Sequence, residues 1–192
     1  MKKDHILVIR FSALGDVAMT VPVVYALAKT YPDLRITVLS RGFAKAFYEN
    51  LAPNVSFMEA DLKNEYKGVK GLNALYRRLA AKHFTAVADL HSVLRSDYLR
   101  LRFNFSRYKV AHIKKYRKGR RDLTSINHKL LVQQPTSFKK YADVFSKLGY
   151  PINPQFESIF PPEGGDISSL PAVIGQKKDG ERWIGIAPFA AH

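Results

Sequence analysis

The chain alternates short, continuous apolar runs with longer stretches in which apolar residues return every three or four positions. Ile6-Leu7-Val8-Ile9 is an unbroken run dominated by branched side chains, the pattern of a strand buried on both faces. Ser12-Ala13-Leu14-Gly15 follows as a turn. From Asp16 to about Tyr31, Val17, Val21, Val24, Leu27 and Ala28 fall on one helical face. Pro22 fits the first turn of that helix, or a helix that starts near Thr20 after a short turn. Pro32-Asp33 ends it. Further strands are predicted over Arg35–Ser40, Val55–Met58, Thr85–Ala88 and Arg107–Ile113, with short helical stretches over 41–49, 71–82 and 93–102 between them. A last helix covers 136–148, closed by Gly149 and Pro151.

Strands alternating with helices at this spacing predict repeated β-α units. The fold class is α/β, a Rossmann-like parallel sheet with helices on both faces. Residues 150–165 carry four prolines and two glycines, a boundary composition. Beyond it, Trp183-Ile184-Gly185-Ile186-Ala187-Pro188 reads as another buried strand, with no crossover element after it in the sequence. Such a strand joins the edge of the first sheet or opens a second domain, and the second choice is preferred here. The expected organisation is a domain over 1–150, a linker over 151–182 and the start of a further domain over 183–192.

Composition narrows the chemistry. The 192 residues contain no cysteine, which excludes a disulfide framework, a thiol nucleophile and a Cys-ligated metal centre. A hydrophobic share of 46% excludes wholesale disorder. No apolar run reaches the ~20 residues of a membrane span. The start, MKKDHILVIRF, is too short in its apolar part for a signal sequence. A cytoplasmic location is expected. The net charge is +15, unevenly placed: residues 98–142 hold 13 Lys/Arg against one acid, Asp122, while the other residues have 18 basic and 15 acidic groups. One segment therefore seeks an anionic partner, be it nucleic acid, a phospholipid surface or a phosphorylated substrate.

Two loops carry candidate chemistry. Ser12-Ala13-Leu14-Gly15-Asp16 follows the first strand, where open α/β sheets bind ligands. It has neither the glycine pattern of dinucleotide binders nor that of P-loops. A carboxylate at a helix start repels phosphate but suits a general base, because the helix dipole favours its ionised form. The plainer alternative is that Asp16 only caps the helix. Asp89-Leu90-His91-Ser92 follows the fourth strand on the same sheet edge. Asp89 and His91 alternate in direction there and need not converge, and Ser92 is a candidate cap. The run from Arg100 to Arg121 interleaves cations with Tyr98, Phe103, Phe105, Tyr108 and Tyr116, which admits single-stranded nucleic acid as a partner. Phe103 and Phe105 sit near a helix–strand junction and are expected in the core, while residues 114–121 are expected to form an exposed, flexible loop. The histidines have no metal-ligand spacing, and no metal site is expected.

The sequence resembles the family-9 glycosyltransferases of the lipopolysaccharide heptosyltransferase type. The resemblance rests on the apolar strand with Arg10, the turn Ser12-Ala13-Leu14-Gly15-Asp16-Val17, Thr20 and Pro22. It is supported by Asp89, His91, Ser92, Arg95 and Ser96, by Phe145–Tyr150 and by Ile184–Pro188. The resemblance implies the N-terminal, acceptor-binding half of a two-domain GT-B architecture. It implies inverting transfer of a heptose or related sugar from an ADP-sugar to a lipopolysaccharide core or other glycolipid, with Asp16 as general base, no metal and no resident cofactor. Ser12, Gly15, His91 and Ser92 are the expected acceptor contacts. Arg117, Arg120 and Arg121 are further candidates, as cations for an acidic glycolipid at the inner face of the cytoplasmic membrane. The donor site would lie in the other half, so residues 1–192 alone would be inactive. The runner-up reading is a basic nucleic-acid-binding or membrane-surface domain without catalysis, with nucleic acid the less favoured partner.

Overall fold

The computed structural model describes residues 4–155, 175, 178–184 and 186. Backbone contacts divide the chain into two units, 1–156 and 157–192. The first holds five strands: β1 (His5–Ile9), β2 (Arg35–Ser40), β3 (Val55–Glu59), β4 (Ala86–Asp89) and β5 (Lys109–His112). They form one sheet in the order β3-β2-β1-β4-β5, and every pairing is parallel. The helices are α1 (Leu14–Ala18), α2 (Val21–Thr30), α3 (Lys45–Tyr48, entered through a 3₁₀ turn), α4 (Gly68–Ala80), α5 (Leu94–Phe105), α6 (Arg117–Thr124) and α7 (Ser137–Lys147).

Helices cover both faces, so alternate residues of the central strands enter two separate cores. Ile6 and Val8 of β1 meet Val24 and Leu27 of α2, with Val144 and Phe145 of α7 in the same core. Leu7 and Ile9 join Leu72, Leu75 and Leu79 of α4 and Leu99 and Phe103 of α5 on the other face. All four apolar side chains of the β1 run are fully buried. Full burial of such a side chain contributes about 1.5–3 kcal/mol each.

Four sequence expectations change. The helix expected from Asp16 to Tyr31 is two helices, and the first begins at Leu14, inside the expected turn. Pro22 has no N–H to continue the ladder from α1. The buried Thr20 closes the break: its hydroxyl donates to Val17 O (2.7 Å) and accepts from the Tyr48 hydroxyl (2.5 Å). The loop expected over 114–121 is helical from Arg117 on, as part of α6, which has no buried residue. Phe103 is in the core but Phe105 is 80% exposed, because α5 runs on to Phe105 and turns that side chain outward. Ser92 is not the cap of α5: Val93 is, and its N–H donates to Ser96 Oγ (3.0 Å). The strand expected over 183–188 falls partly outside the described residues, and Trp183, Ile184 and Ile186 lie in no strand.

Candidate functional site

In the order β3-β2-β1-β4-β5, the chain builds outward one way from β1 and the other way from β4. The crevice beyond the carboxyl ends of β1 and β4 is therefore the topological switch point, where open parallel sheets take their ligands. The loops after these two strands are the two that carry the candidate residues. Ile9 pairs with Asp89 in the last register of the β1–β4 ladder, so Arg10 and Leu90 leave the sheet side by side.

Arg10 is the residue that joins the two loops. Its side chain is 9% exposed. One terminal nitrogen donates to Leu90 O at 2.6 Å, and the other meets Asp16 Oδ2 at 2.5 Å. Its guanidinium carbon lies 5.9 Å from the Tyr141 ring centroid of α7. The Tyr141 hydroxyl in turn donates to Asp16 O at 3.4 Å. Asp16 itself is 48% exposed at the crevice mouth. It does not cap α1: the cap position is Ala13, without a side-chain bond. α1 is also one turn long, too short for a full macrodipole. The expectation that the helix dipole sets the charge environment of Asp16 is therefore corrected, since the Arg10 guanidinium is its immediate partner.

The second loop is built on Asp89. Its carboxylate is completely buried, and Oδ1 accepts the N–H groups of His91 and Ser92, both at 2.9 Å. That double acceptance holds Ser92 at φ 49°, in the left-handed region. Arg100 stands 3.8 Å from Asp89 Oδ2 and 3.1 Å from Asp97. Burial pushes the Asp89 carboxyl up, against the hydrogen bonds that hold it down. Asp89 thus shapes the turn, while the His91 ring turns away from it toward the first loop. His91 Nδ1 accepts the Phe11 N–H (3.4 Å), and Nε2 faces Ser12 Oγ (3.4 Å). With Nδ1 as acceptor, the neutral ring carries its proton on Nε2 and donates to Ser12. Burial first, and the Arg10 and Lys115 charges next, lower the imidazole to about 4, so His91 is neutral at physiological pH.

Of the expected site residues, Ser12, Asp16 and His91 come together at this crevice. Ser92 adjoins them, with its hydroxyl 3.4 Å from Asp97 Oδ1. Gly15 leaves open space: a Cβ there would meet nothing within 4 Å. Its backbone does not demand glycine, and the residue is exposed beside Asp16. Arg117, Arg120 and Arg121 are exposed on α6, and no hydrogen bond or ion pair joins their side chains to Ser12, Asp16, His91 or Ser92. Arg10, Tyr141 and Lys115 were not among the candidates. Arg10 had a visible signal, a lone cation closing a fully buried strand. Lys115 lies within the cationic segment, but only the fold brings it, and Tyr141, to this crevice. Among the described residues no cluster of His, Asp or Glu could hold a metal ion.

No protein-family model and no curated protein sequence matches the chain. Solved structures do. The glycosyl transferase family 9 protein from Veillonella parvula DSM 2008 aligns with a TM-score of 0.57 at 20% identity, over 82% of this chain and 47% of that one. The E. coli heptosyltransferase WaaC with ADP gives 0.53 at 16% identity, over 79% and 49%. WaaC with ADP-2-deoxy-2-fluoro heptose gives 0.57 at 15%, over 84% and 56%. The chain thus spans about half the length of these structures, and its parallel sheet has the fold of one half of a GT-B architecture.

Proposed function

We propose that residues 4–155 are the acceptor-binding half of an inverting glycosyltransferase, with the crevice between the Ser12–Asp16 and His91–Ser92 loops as its acceptor site. The observation that carries this reading is a half-exposed carboxylate, Asp16, held by Arg10 at the switch point of a sheet shared with heptosyltransferase structures. The proposed donor is an ADP-sugar bearing a heptose or a related sugar, and the acceptor is a lipopolysaccharide core or other acidic glycolipid. The proposed setting is the cytoplasmic side of the inner membrane. Among the described residues no helix is long and apolar enough to cross a membrane.

In this mechanism Asp16 takes the proton of the acceptor hydroxyl as that oxygen attacks the anomeric carbon of the donor. The new glycosidic bond forms on the face opposite the leaving group. The bond from the anomeric carbon to the diphosphate breaks, and the nucleoside diphosphate leaves with that electron pair. Arg10 keeps the carboxylate aimed at the crevice mouth. Neutral His91 fixes the Ser12 hydroxyl, which is then free to hydrogen-bond the acceptor. Gly15 leaves room for a sugar ring beside Asp16. Arg117, Arg120 and Arg121 meet the outlying acidic groups of the glycolipid. On this reading the acceptor half binds its ligand without completing transfer.

The test is a titration of a phosphorylated glycolipid core oligosaccharide into the 192-residue chain, followed by backbone amide NMR. Amides of Ser12, Ala13, Gly15, His91 and Ser92 are expected to shift together. Gly15→Leu, which fills the open space, should abolish those shifts while the remaining spectrum stays folded. Binding that leaves both loops unshifted, or no binding, would refute the acceptor site.

A further inference from the structure

The strongest feature outside the crevice is the segment that follows β5. Residues 114–132 carry seven Lys/Arg and a single acid, Asp122. Within it α6 packs no side chain into the core. The same segment exposes an unusual amount of aliphatic surface: Ile126 is 95%, Leu130 57%, Leu131 80% and Val132 61% exposed. These are not two unrelated patches. The chain after α6 folds back along it, with the Leu130 N–H donating to Asp122 O at 3.0 Å. Farther along, the Gln134 side chain lies so close to Gly119 that a Cβ at that position would collide with it. The Leu130–Asp122 bond and the approach of Gln134 to Gly119 both bring the returning chain back alongside α6.

We propose that α6 and the strap over 126–132 form a docking surface for an anionic lipid bilayer. Cations and aliphatic side chains on one segment are what such an interface rewards: the charges meet the headgroups, and the aliphatic groups enter the boundary below them. Nucleic acid would use the same charges but needs aromatic faces for its bases. The one Phe, Tyr or Trp in 114–132 is Tyr116, and its ring is already engaged by the ammonium groups of Lys114 (5.0 Å) and Lys140 (5.7 Å). Exposed leucine, isoleucine and valine offer bases no stacking platform.

The position of this surface ties it to the crevice. α6 begins just past the carboxyl end of β5, on the sheet edge that carries Asp16 and His91, and the Lys115 charge acts on the His91 ring. A bilayer held there brings its headgroup layer to the mouth of the acceptor site. The docking itself stands on charge and exposure. It rests on the proposed function only for which membrane leaflet is met.

The test is co-sedimentation of the 192-residue chain with phosphatidylcholine vesicles containing phosphatidylglycerol. Pure phosphatidylcholine vesicles and a single-stranded oligonucleotide are the comparisons. The chain is expected to bind the anionic vesicles, to be released by salt, and to ignore the neutral ones. Replacing Ile126, Leu130, Leu131 and Val132 by Ser should weaken binding about tenfold and leave the salt dependence in place. Replacing Arg117, Arg120 and Arg121 by Gln should weaken it about fivefold per cation and flatten the salt dependence. All these side chains are solvent-facing, and unchanged thermal unfolding will show that the variants fold. Unaltered binding by the Ser variant, absence of vesicle binding, or equally tight binding of the oligonucleotide would overturn the proposal. Acceptor-induced NMR shifts without vesicle binding would sink the docking surface alone, and the converse would sink the acceptor site alone.

Discussion

At the scale of single residues, the crevice is organised by side chains whose partners lie far along the sequence. Arg10 reaches Leu90 across the β1–β4 junction, and Tyr141 reaches Asp16 from α7. Asp16 and His91 are legible in the sequence as a carboxylate and an imidazole after strands. What holds them is not, because hydrogen bonds between residues about 80 or 125 positions apart leave no local pattern. The two buried histidines make a testable statement about pH. His5, bonded to Thr37 at 2.8 Å, and His91 are both lowered from 6.5 to about 4, chiefly by burial. The native state keeps both neutral, while the unfolded chain takes up protons below its ordinary value. Stability should therefore fall as pH drops from about 6.5 toward about 4 and level off below that. Asp89, raised by burial, acts in the opposite sense at the acid end. Urea unfolding from neutral pH to pH about 4 should give a shallower slope for a His5→Gln, His91→Gln double variant than for the wild type. Equal slopes would mean that the two histidines titrate alike in both states.

At the scale of elements, the strands and most helices follow from hydrophobic periodicity, and the central strands β1, β2 and β4 bury runs of apolar residues. The exceptions have physical causes. The break at Met19-Thr20 needs a buried hydroxyl pair, Thr20 with Tyr48, that no window of local sequence contains. α6 escapes detection because it has no apolar face to read; it stands on the surface as a charged helix braced by the returning strap. α7 is the opposite case, strongly amphipathic and capped by Thr136, whose hydroxyl accepts the Lys139 N–H at 3.2 Å. This helix carries Tyr141 beneath Arg10 and so forms part of the site's support. Thr136→Ala should cost about 1 kcal/mol in denaturant unfolding. A variant as stable as the wild type would show that the cap does not contribute.

At the scale of the whole molecule, a five-stranded parallel sheet places its switch point, its cationic segment and its half-exposed carboxylate on one edge. That convergence, with the shared fold of one half of the heptosyltransferase structures, is why glycosyl transfer to an acidic glycolipid is the preferred reading. The concentration of +12 charge within 98–142 was plain from the sequence. That part of it would be paired with an exposed aliphatic strap was not, since exposure is a property of the fold. The central claim is that Asp16 is the base. It is tested most directly by the rate of sugar transfer from a nucleotide-sugar to a phosphorylated glycolipid, comparing wild type and Asp16→Asn in protein carrying both acceptor and donor halves. The account predicts a fall in kcat of about 10²–10⁴-fold with acceptor affinity little changed. Transfer by Asp16→Asn at the wild-type rate would contradict it.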